Sequence, residues 1–564
     1  TVIMVMPTVE EMMDTMASPI IPPGTDTSDP EEGSYDAETM HLDSAILIVL
    51  DSLVGDRYAK IMASTLTAFL NRFKNNKFII WLVIIIFISL ILRLWNISNR
   101  EIQYDDAFSI LLARQTLPEI VRGTAADTMP PLYYFLLHYW MGFGDSVIAL
   151  RLLSVLFSLG VLFFTMDLVR RVFNPKVAIF TGLILAVSPF QIYHAQDIRM
   201  YSLLSLNLIV YFWCFYRLFY KKALKNPLNF WILLIFSGTA AMYTHNLAVF
   251  ALLVSNFLLV IRKEWNLLRS LLLAQGIIFF SFMPWLIYLP GQLEKVQQAF
   301  WTTKPGFIEI LQALLQITIY LPLEGILLII GGVISLQILV IVIIECVRDK
   351  TNLIGIQFFS VIAITLPALL LIISYAVRPV FVPRGFILSG LAYTCLIGFA
   401  IYRGWTRGIG KILLFLWLMA AMISLPSLYY DSSFPRSPFK DASEYLSREV
   451  NDGDIILHDN KLSYFPMDYY RPELNQEFIA DFPGSSNDTL AFETQSALGH
   501  FATNSLKDFN GPSGTLFFIV FSQAIKEYEI TQGTNHPVLQ ELREIYREID
   551  KLTFNDLIIY KFKR

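Results

Sequence analysis

Two adjacent carboxylates, Asp105 and Asp106, stand in the polar stretch NISNREIQYDDAFSILLARQ that follows the first strongly apolar run of the chain, Phe78–Trp95. Charge beside a membrane-length apolar run is costly unless it is used, so the pair marks a place to look for chemistry. Other polar groups recur at later breaks between apolar runs. Tyr133 and Tyr134 lie in MPPLYYFLLHYW, His194, Asp197, Arg199 and Tyr201 in SPFQIYHAQDIRMYSLL, His245 in YTHN, and Arg384 in RPVFVPRGF. A carboxylate at an apolar boundary can take a proton from a hydroxyl, because burial disfavours its charged form. Arginine binds phosphate oxygens through a rigid fork. Together they suit transfer of a glycosyl group from a phosphate-activated donor to a hydroxyl. A membrane face without a dependable supply of nucleotide sugars needs a donor that crosses with its own lipid, and a polyprenyl-phosphate-linked sugar fits.

The rest of the chain must position these groups. With 564 residues, 55% hydrophobic content and a mean hydropathy of +0.53, it is far more apolar than a soluble domain and reads as a polytopic membrane protein. The small net charge of -4 gives no sign of a general nucleic-acid binder. Cys214, Cys346 and Cys395 fall inside apolar runs without metal-ligand or pairing sense and are expected to be buried thiols. No ligand spacing demands a cofactor, although a divalent metal ion is compatible with the chemistry.

Runs of membrane-spanning length predict about eleven transmembrane helices, near 78–95, 149–169, 177–193, 201–219, 229–244, 246–261, 270–290, 323–346, 354–377, 385–402 and 410–429. Every second connection is basic: Arg170, Arg171 and Lys176; Arg217, Lys221, Lys222 and Lys225; Arg262, Lys263 and Arg269; Arg348 and Lys350; Arg403, Arg407 and Lys411. Lys and Arg collect on the cytoplasmic side, so the N-terminus is expected to be cytoplasmic and the acidic pair extracytoplasmic. Three parts follow: a poorly ordered cytoplasmic extension over 1–77, a transmembrane domain over 78–430 and a soluble extracytoplasmic α/β domain over 431–564. In the last, a helix over Lys440–Val450, strands at Ile455–Leu457, 515–521 and Leu557–Phe562, and a helix near Val538–Ile549 are expected.

The order YDDAFS, MPPLYYFLLHYW, GDSVIALRLLSVLFS, SPFQIYHAQDIRMYSLL and VFVPRGFILSGLAY resembles the GT-C glycosyltransferases of the protein O-mannosyltransferase and aminoarabinose-transferase type, over about Arg93–Tyr402. In that family an acidic pair, commonly Asp-Glu, follows the first span. Here the second acid is Asp106, and Met129 stands where a histidine often precedes the paired prolines. The resemblance implies that Asp105 is the general base and Asp106 its partner or an acceptor contact, and that Arg199 and Arg384 hold the lipid phosphate. Tyr133, Tyr134, His194, Asp197, Tyr201 and His245 are the remaining candidate substrate-binding residues. The partners implied are the lipid-linked donor, a lipid, glycan or protein acceptor, and membrane lipids, in a bacterial inner membrane. Structural readings stand beside these: either aspartate suits the cap of a helix starting near Ala107, and the arginines suit snorkelling at the interface. A secondary transporter or lipid-linked sugar flippase is the rival function, but such proteins place ionisable groups near the midplane within inverted repeats, and no repeat is evident here. A scaffold built around the C-terminal domain leaves the acidic pair unexplained.

Overall fold

The computed structural model describes residues 76–220, 226–298, 304–430, 437–481, 490–507, 509 and 511–564. The expected disorder of the N-terminal extension concerns residues that lie outside this description, apart from its last two. The first span is helix α1, Lys77–Leu94. Three short helices then build the loop that carries the acidic pair: α2 (Tyr104–Ala113), α3 (Leu117–Ala126) and α4 (Leu132–Trp140). The membrane part continues with α5 (Val147–Val172), α6 (Pro175–Ala186), α7 (Pro189–Gln196), α8 (Tyr201–Tyr220), α9 (Pro227–Thr244), α10 (Ala248–Ile261), α11 (Trp265–Leu286), α12 (Leu289–Gln298), α13 (Phe307–Thr318), α14 (Gly325–Arg348), α15 (Leu353–Ala376), α16 (Ile387–Gly404) and α17 (Ile409–Tyr430).

Each of the eleven expected spans is helical. Among the described residues nine helices are long and apolar enough to cross a membrane, or ten if α6 and α7, bent by 59°, are taken as one span. Helix α10 has 14 residues, short of the roughly 20 that a straight span needs. The break between α6 and α7 has a local cause. Pro189 brings no N–H, and Ser188 caps the new helix by accepting from the Gln191 amide at 3.4 Å.

Helices α8 and α16 form the centre of the bundle, with most of their lengths buried, while α1, α11, α14 and α15 turn broad apolar faces outward. Small residues allow the close approaches. A Cβ at Gly398 of α16 would run into Thr181 of α6, and one at Gly238 of α9 would lie 2.5 Å from Ile278 of α11. At one end of the bundle the basic clusters are tied down. Asp167 of α5 holds Arg170, Arg171 and the Trp213 indole, and buried Glu345 and Asp349 hold Arg407 and Arg403. Cys214 and Cys395 are buried as expected, whereas Cys346 is half-buried.

The C-terminal domain runs α18 (Phe439–Glu449), β1 (Ile455–His458), α19 (Lys461–Tyr470), β2 (Gln476–Phe478), α20 (Phe492–Leu498), β3 (Thr515–Phe521), α21 (Ser522–Glu527), α22 (Pro537–Ile545), β4 (Arg547–Phe554) and β5 (Leu557–Lys563). The sheet order is β2-β1-β3-β5-β4, with β1 parallel to β2 and β3 and the last two strands antiparallel. One expectation is corrected: the helix near 538–549 ends at Ile545, and 547–554 is an edge strand. Its charged, half-exposed face suits an edge, and the turn into β5 places Asn555 at φ 54°.

Candidate active site

Asp105 and Asp106 sit in the first turn of α2, where successive helical residues point about 100° apart, and their environments diverge accordingly. The Asp106 side chain is buried. Its Oδ2 is 3.2 Å from the Arg151 guanidinium, and its Oδ1 accepts from the Ile198 amide at 2.8 Å. Burial pushes its pKa up against the pull of Arg151. The side chain of Asp105 is 45% exposed, and its two oxygens face two guanidinium groups: Arg199 Nη2 at 3.7 Å and Arg384 Nη1 at 3.6 Å. Neither acid makes a side-chain cap to α2. Asp106, expected as the partner of the base or as an acceptor contact, thus has each oxygen bonded to a group inside the protein.

Arg151 is the centre of the supporting layer. Fully buried in the first turns of α5, it donates to the carbonyls of Ile97 and Arg100 at 2.7 Å each and to that of Glu101 at 3.2 Å, as well as to Asp106. One side chain thus fixes the loop after α1 and the helix that follows it. Sequence reading passed over Arg151, yet an arginine inside an apolar run was the signal.

The segment after α7 supplies three consecutive anchors. Asp197 pairs with Arg100 at 2.5 Å and lies 3.5 Å from His194 Nδ1. Burial opposes its charge, but Arg100 and His194 outweigh that and hold the carboxyl below the usual range. The Ile198 amide binds Asp106, and Arg199 turns to Asp105, donating also to Ser109 Oγ at 3.3 Å and Tyr134 Oη at 3.4 Å. The Arg199 Nε and the Tyr201 hydroxyl are buried without a hydrogen-bond partner among the described residues. The Tyr201 ring packs 5.0 Å from His194 and 6.4 Å from His245.

His245 caps the end of α9, its Nδ1 accepting the Leu247 amide at 3.1 Å, which leaves its proton on Nε2. Burial, then Arg384 and Arg199, depress its pKa to about 3, so it is a neutral donor at physiological pH. Asp105, Arg199, Arg384, Tyr134, Tyr201 and His245 therefore form one cluster. His194 and Asp197 belong to its supporting wall. Tyr133 is set apart from this cluster, fully buried with its hydroxyl 3.2 Å from Ser154 of α5. Among the described residues no group of three His, Cys, Asp or Glu side chains could hold a metal ion.

Residues 128–288 match the family described as dolichyl-phosphate-mannose-protein mannosyltransferase, a segment that contains Tyr134, Arg199, Tyr201 and His245. The fold is that of ArnT from Cupriavidus metallidurans. Its apo structure superposes with a TM-score of 0.59 at 12% identity, covering 85% of this chain and 97% of that one. The same protein bound to undecaprenyl phosphate gives 0.56 at 12% identity, over 85% and 98%. The oligosaccharyltransferase AglB from Archaeoglobus fulgidus, in complex with an inhibitory peptide and a dolichol-phosphate, is more remote at 0.47 and 12%, over 86% and 74%. No curated protein sequence matches the chain significantly.

Proposed function

We propose that this GT-C-fold membrane protein is an inverting glycosyltransferase that moves a sugar from a polyprenyl-phosphate-linked donor to an acceptor hydroxyl at the extracytoplasmic face. The observation that carries the reading is a partly exposed carboxylate, Asp105, lying between two arginines while its neighbour Asp106 is buried and paired. Asp105 takes the proton of the acceptor hydroxyl as its oxygen bonds to the anomeric carbon. The bond from that carbon to the donor phosphate breaks on the opposite face, and the lipid phosphate leaves held by Arg199 and Arg384. Arg199 already has Tyr134 and Ser109 fixing one nitrogen, so its fork is oriented before the donor arrives. Neutral His245 adds a donor without adding charge.

The orientation is supported by charge. The basic clusters fall on alternate connections, so with eleven crossings, α10 counted among them, the positive-inside rule favours Asp105 and the C-terminal domain outside. The relative bound to undecaprenyl phosphate supports the lipid donor. The test is transfer by the full chain in nanodiscs, supplied with a polyprenyl-phosphate sugar or with the matching nucleotide sugar. Transfer from the lipid donor alone, lost in Asp105→Asn, is expected. Equal transfer from the nucleotide sugar would overturn the assignment.

A further inference from the structure

Asp105 stands at the start of α2, and α2 begins where the segment Arg100–Gln103 delivers it. That segment is gripped from two sides. From the membrane side Arg151 takes its carbonyls. From the other side the C-terminal domain takes its amide and side chains. The Tyr470 hydroxyl, at the end of α19, accepts the Ile102 N–H at 3.0 Å and donates to Glu101 Oε2 at 2.9 Å. The same Glu101 oxygen accepts the Lys440 amide at the first turn of α18, at 3.1 Å. Gln103 Nε2 donates to the Ser437 carbonyl at 3.3 Å. Packing follows the same line: the Phe465 ring of α19 meets Tyr104 at 5.8 Å and Phe108 at 6.4 Å, both on α2, and Arg114 lies over Tyr469 at 5.6 Å. A second footing holds α3, where Thr494 of α20 donates to the Gly123 carbonyl at 3.2 Å. A Cβ at Gly123 would lie 2.8 Å from Leu112 and 3.4 Å from Ala497, so α2, α3 and α20 meet at that glycine.

Resting on the functional reading above, we propose that the C-terminal domain is a working part of the active site, and that Tyr470 is the positioning residue through which it sets Asp105. Both ion pairs of Asp105 come from the membrane domain, so the soluble domain acts through the backbone that carries the acid. The Tyr470 phenol is well suited. It receives one hydrogen bond and gives one, and so fixes the Ile102 amide and the Glu101 carboxylate relative to each other, three residues before the base. Ile102 is fully buried, and without the Tyr470 hydroxyl its N–H loses this hydrogen-bond partner. Burial and the adjacent Glu101 raise the phenol's pKa, which keeps its proton in place as a donor. A shift of about 1 Å in a catalytic group can lower a rate about a hundredfold, so a partial release of α2 is expected to show in turnover before it shows in stability.

The experiment uses the full chain in nanodiscs. Tyr470→Phe keeps the ring and removes the hydroxyl. Its kcat is expected to fall about tenfold with the donor's KM unchanged, because Arg199 and Arg384 are not moved. Glu101→Gln keeps an oxygen for both Tyr470 and Lys440 and is expected to stay much nearer the wild-type rate than Glu101→Ala. Placed on Asp105→Asn, Tyr470→Phe is expected to cost nothing further, since no base is left to position. A kcat unchanged in Tyr470→Phe, or a further tenfold loss on the Asp105→Asn background, would overturn the proposal. Amide hydrogen exchange decides it without activity: the Ile102 amide and the first turn of α2 are expected to exchange faster in Tyr470→Phe, with α5 and α8 unchanged, and unaltered exchange over 102–109 overturns it. Failure of the wild type to use a lipid-linked donor would instead overturn the functional reading, leaving the exchange result to stand for Tyr470.

Discussion

Asp105→Asn and Asp106→Asn are nearly the same change at adjacent positions, yet they should fail in opposite ways. Asp106 is buried, and its two oxygens serve Arg151 and the Ile198 amide. An asparagine has one acceptor and one NH2, so it can satisfy either partner but not both. Removing one member of a buried ion pair costs about 3–5 kcal/mol. Arg151 keeps its three carbonyls, which places the expected loss near the lower end, about 3 kcal/mol. Asp105 is half exposed and its ion pairs are 3.6 and 3.7 Å long, so although buried Arg199 loses a carboxylate, the loss is expected to be well below that at Asp106, about 1 kcal/mol. Asp105→Asn should therefore unfold close to the wild-type temperature while losing about 10²–10⁴ in kcat, the share of a general base. Asp106→Asn should unfold at a clearly lower temperature and, below its own transition, keep more activity than Asp105→Asn. Thermal unfolding in one detergent and transfer from a polyprenyl-phosphate sugar at 15 °C measure both quantities. An Asp106→Asn protein as stable as wild type but fully inactive would give Asp106 a chemical role and refute the division. So would an Asp105→Asn protein that is unstable or active.

Three further outcomes are expected. Arg199→Ala and Arg384→Ala should raise the donor's KM or lower the rate more than the Arg→Lys changes do, because lysine keeps the charge and loses the fork; a donor titration at fixed acceptor in which neither alanine variant differs from wild type would remove the phosphate clamp. A reporter fused after Arg564 should signal an extracytoplasmic C-terminus, and a cytoplasmic signal would put the site on the wrong face. Burial holds His245 and His458 near pKa 3, against about 6.5 when unfolded. Above pH 6.5 neither state is protonated and nothing is lost. As pH falls from 6.5 towards 3 only the unfolded chain takes up the protons, so stability should decline on acidification by up to about 1.4 kcal/mol per pH unit for each histidine. His458→Gln, facing Ser463 and Gln476, should make that decline shallower between pH 7 and 5, and an unchanged slope would refute it.

The spans were legible because twenty apolar residues are a physical requirement of the bilayer, and the clustering of Arg199 and Arg384 near Asp105 followed from their places at the ends of those spans. What was not legible depended on which way a helix turns. Nothing in the pair Asp105-Asp106 tells which acid faces outward. That is decided by Arg151, a later residue whose guanidinium reaches back into the loop. The break in the third span was readable in Ser188-Pro189, although the apolar run conceals it. Strand β4 was missed because an edge strand facing solvent carries the charges of a surface helix. The contribution of Tyr470 was beyond sequence reading, since it lies more than three hundred residues from the segment it holds.

The bend between α6 and α7 gives the site its logic. Irregular backbone at membrane depth is tolerated only where other protein groups take up its polar atoms. Arg93 of α1 does so, donating to the Ala186 carbonyl at 3.2 Å and to that of Leu185 at 3.4 Å, while Gln196 returns bonds to the carbonyls of Arg93 and Trp95. The two irregular stretches, after α1 and between α6 and α7, thereby satisfy each other. Within that junction the acids and arginines pair in sequence: Asp197 with Arg100, Asp106 with Arg151, and Asp105 with both Arg199 and Arg384. Asp105 is the acid that faces two cations, and it is the most exposed of the three. A donor phosphate between those arginines brings a second anion to the pair of guanidiniums, so Asp105 is relieved of acting as their shared counterion when the leaving group is in place. On the proposed roles, base and leaving-group clamp would be coupled through two side chains, and donor binding before acceptor is the kinetic order that coupling would favour.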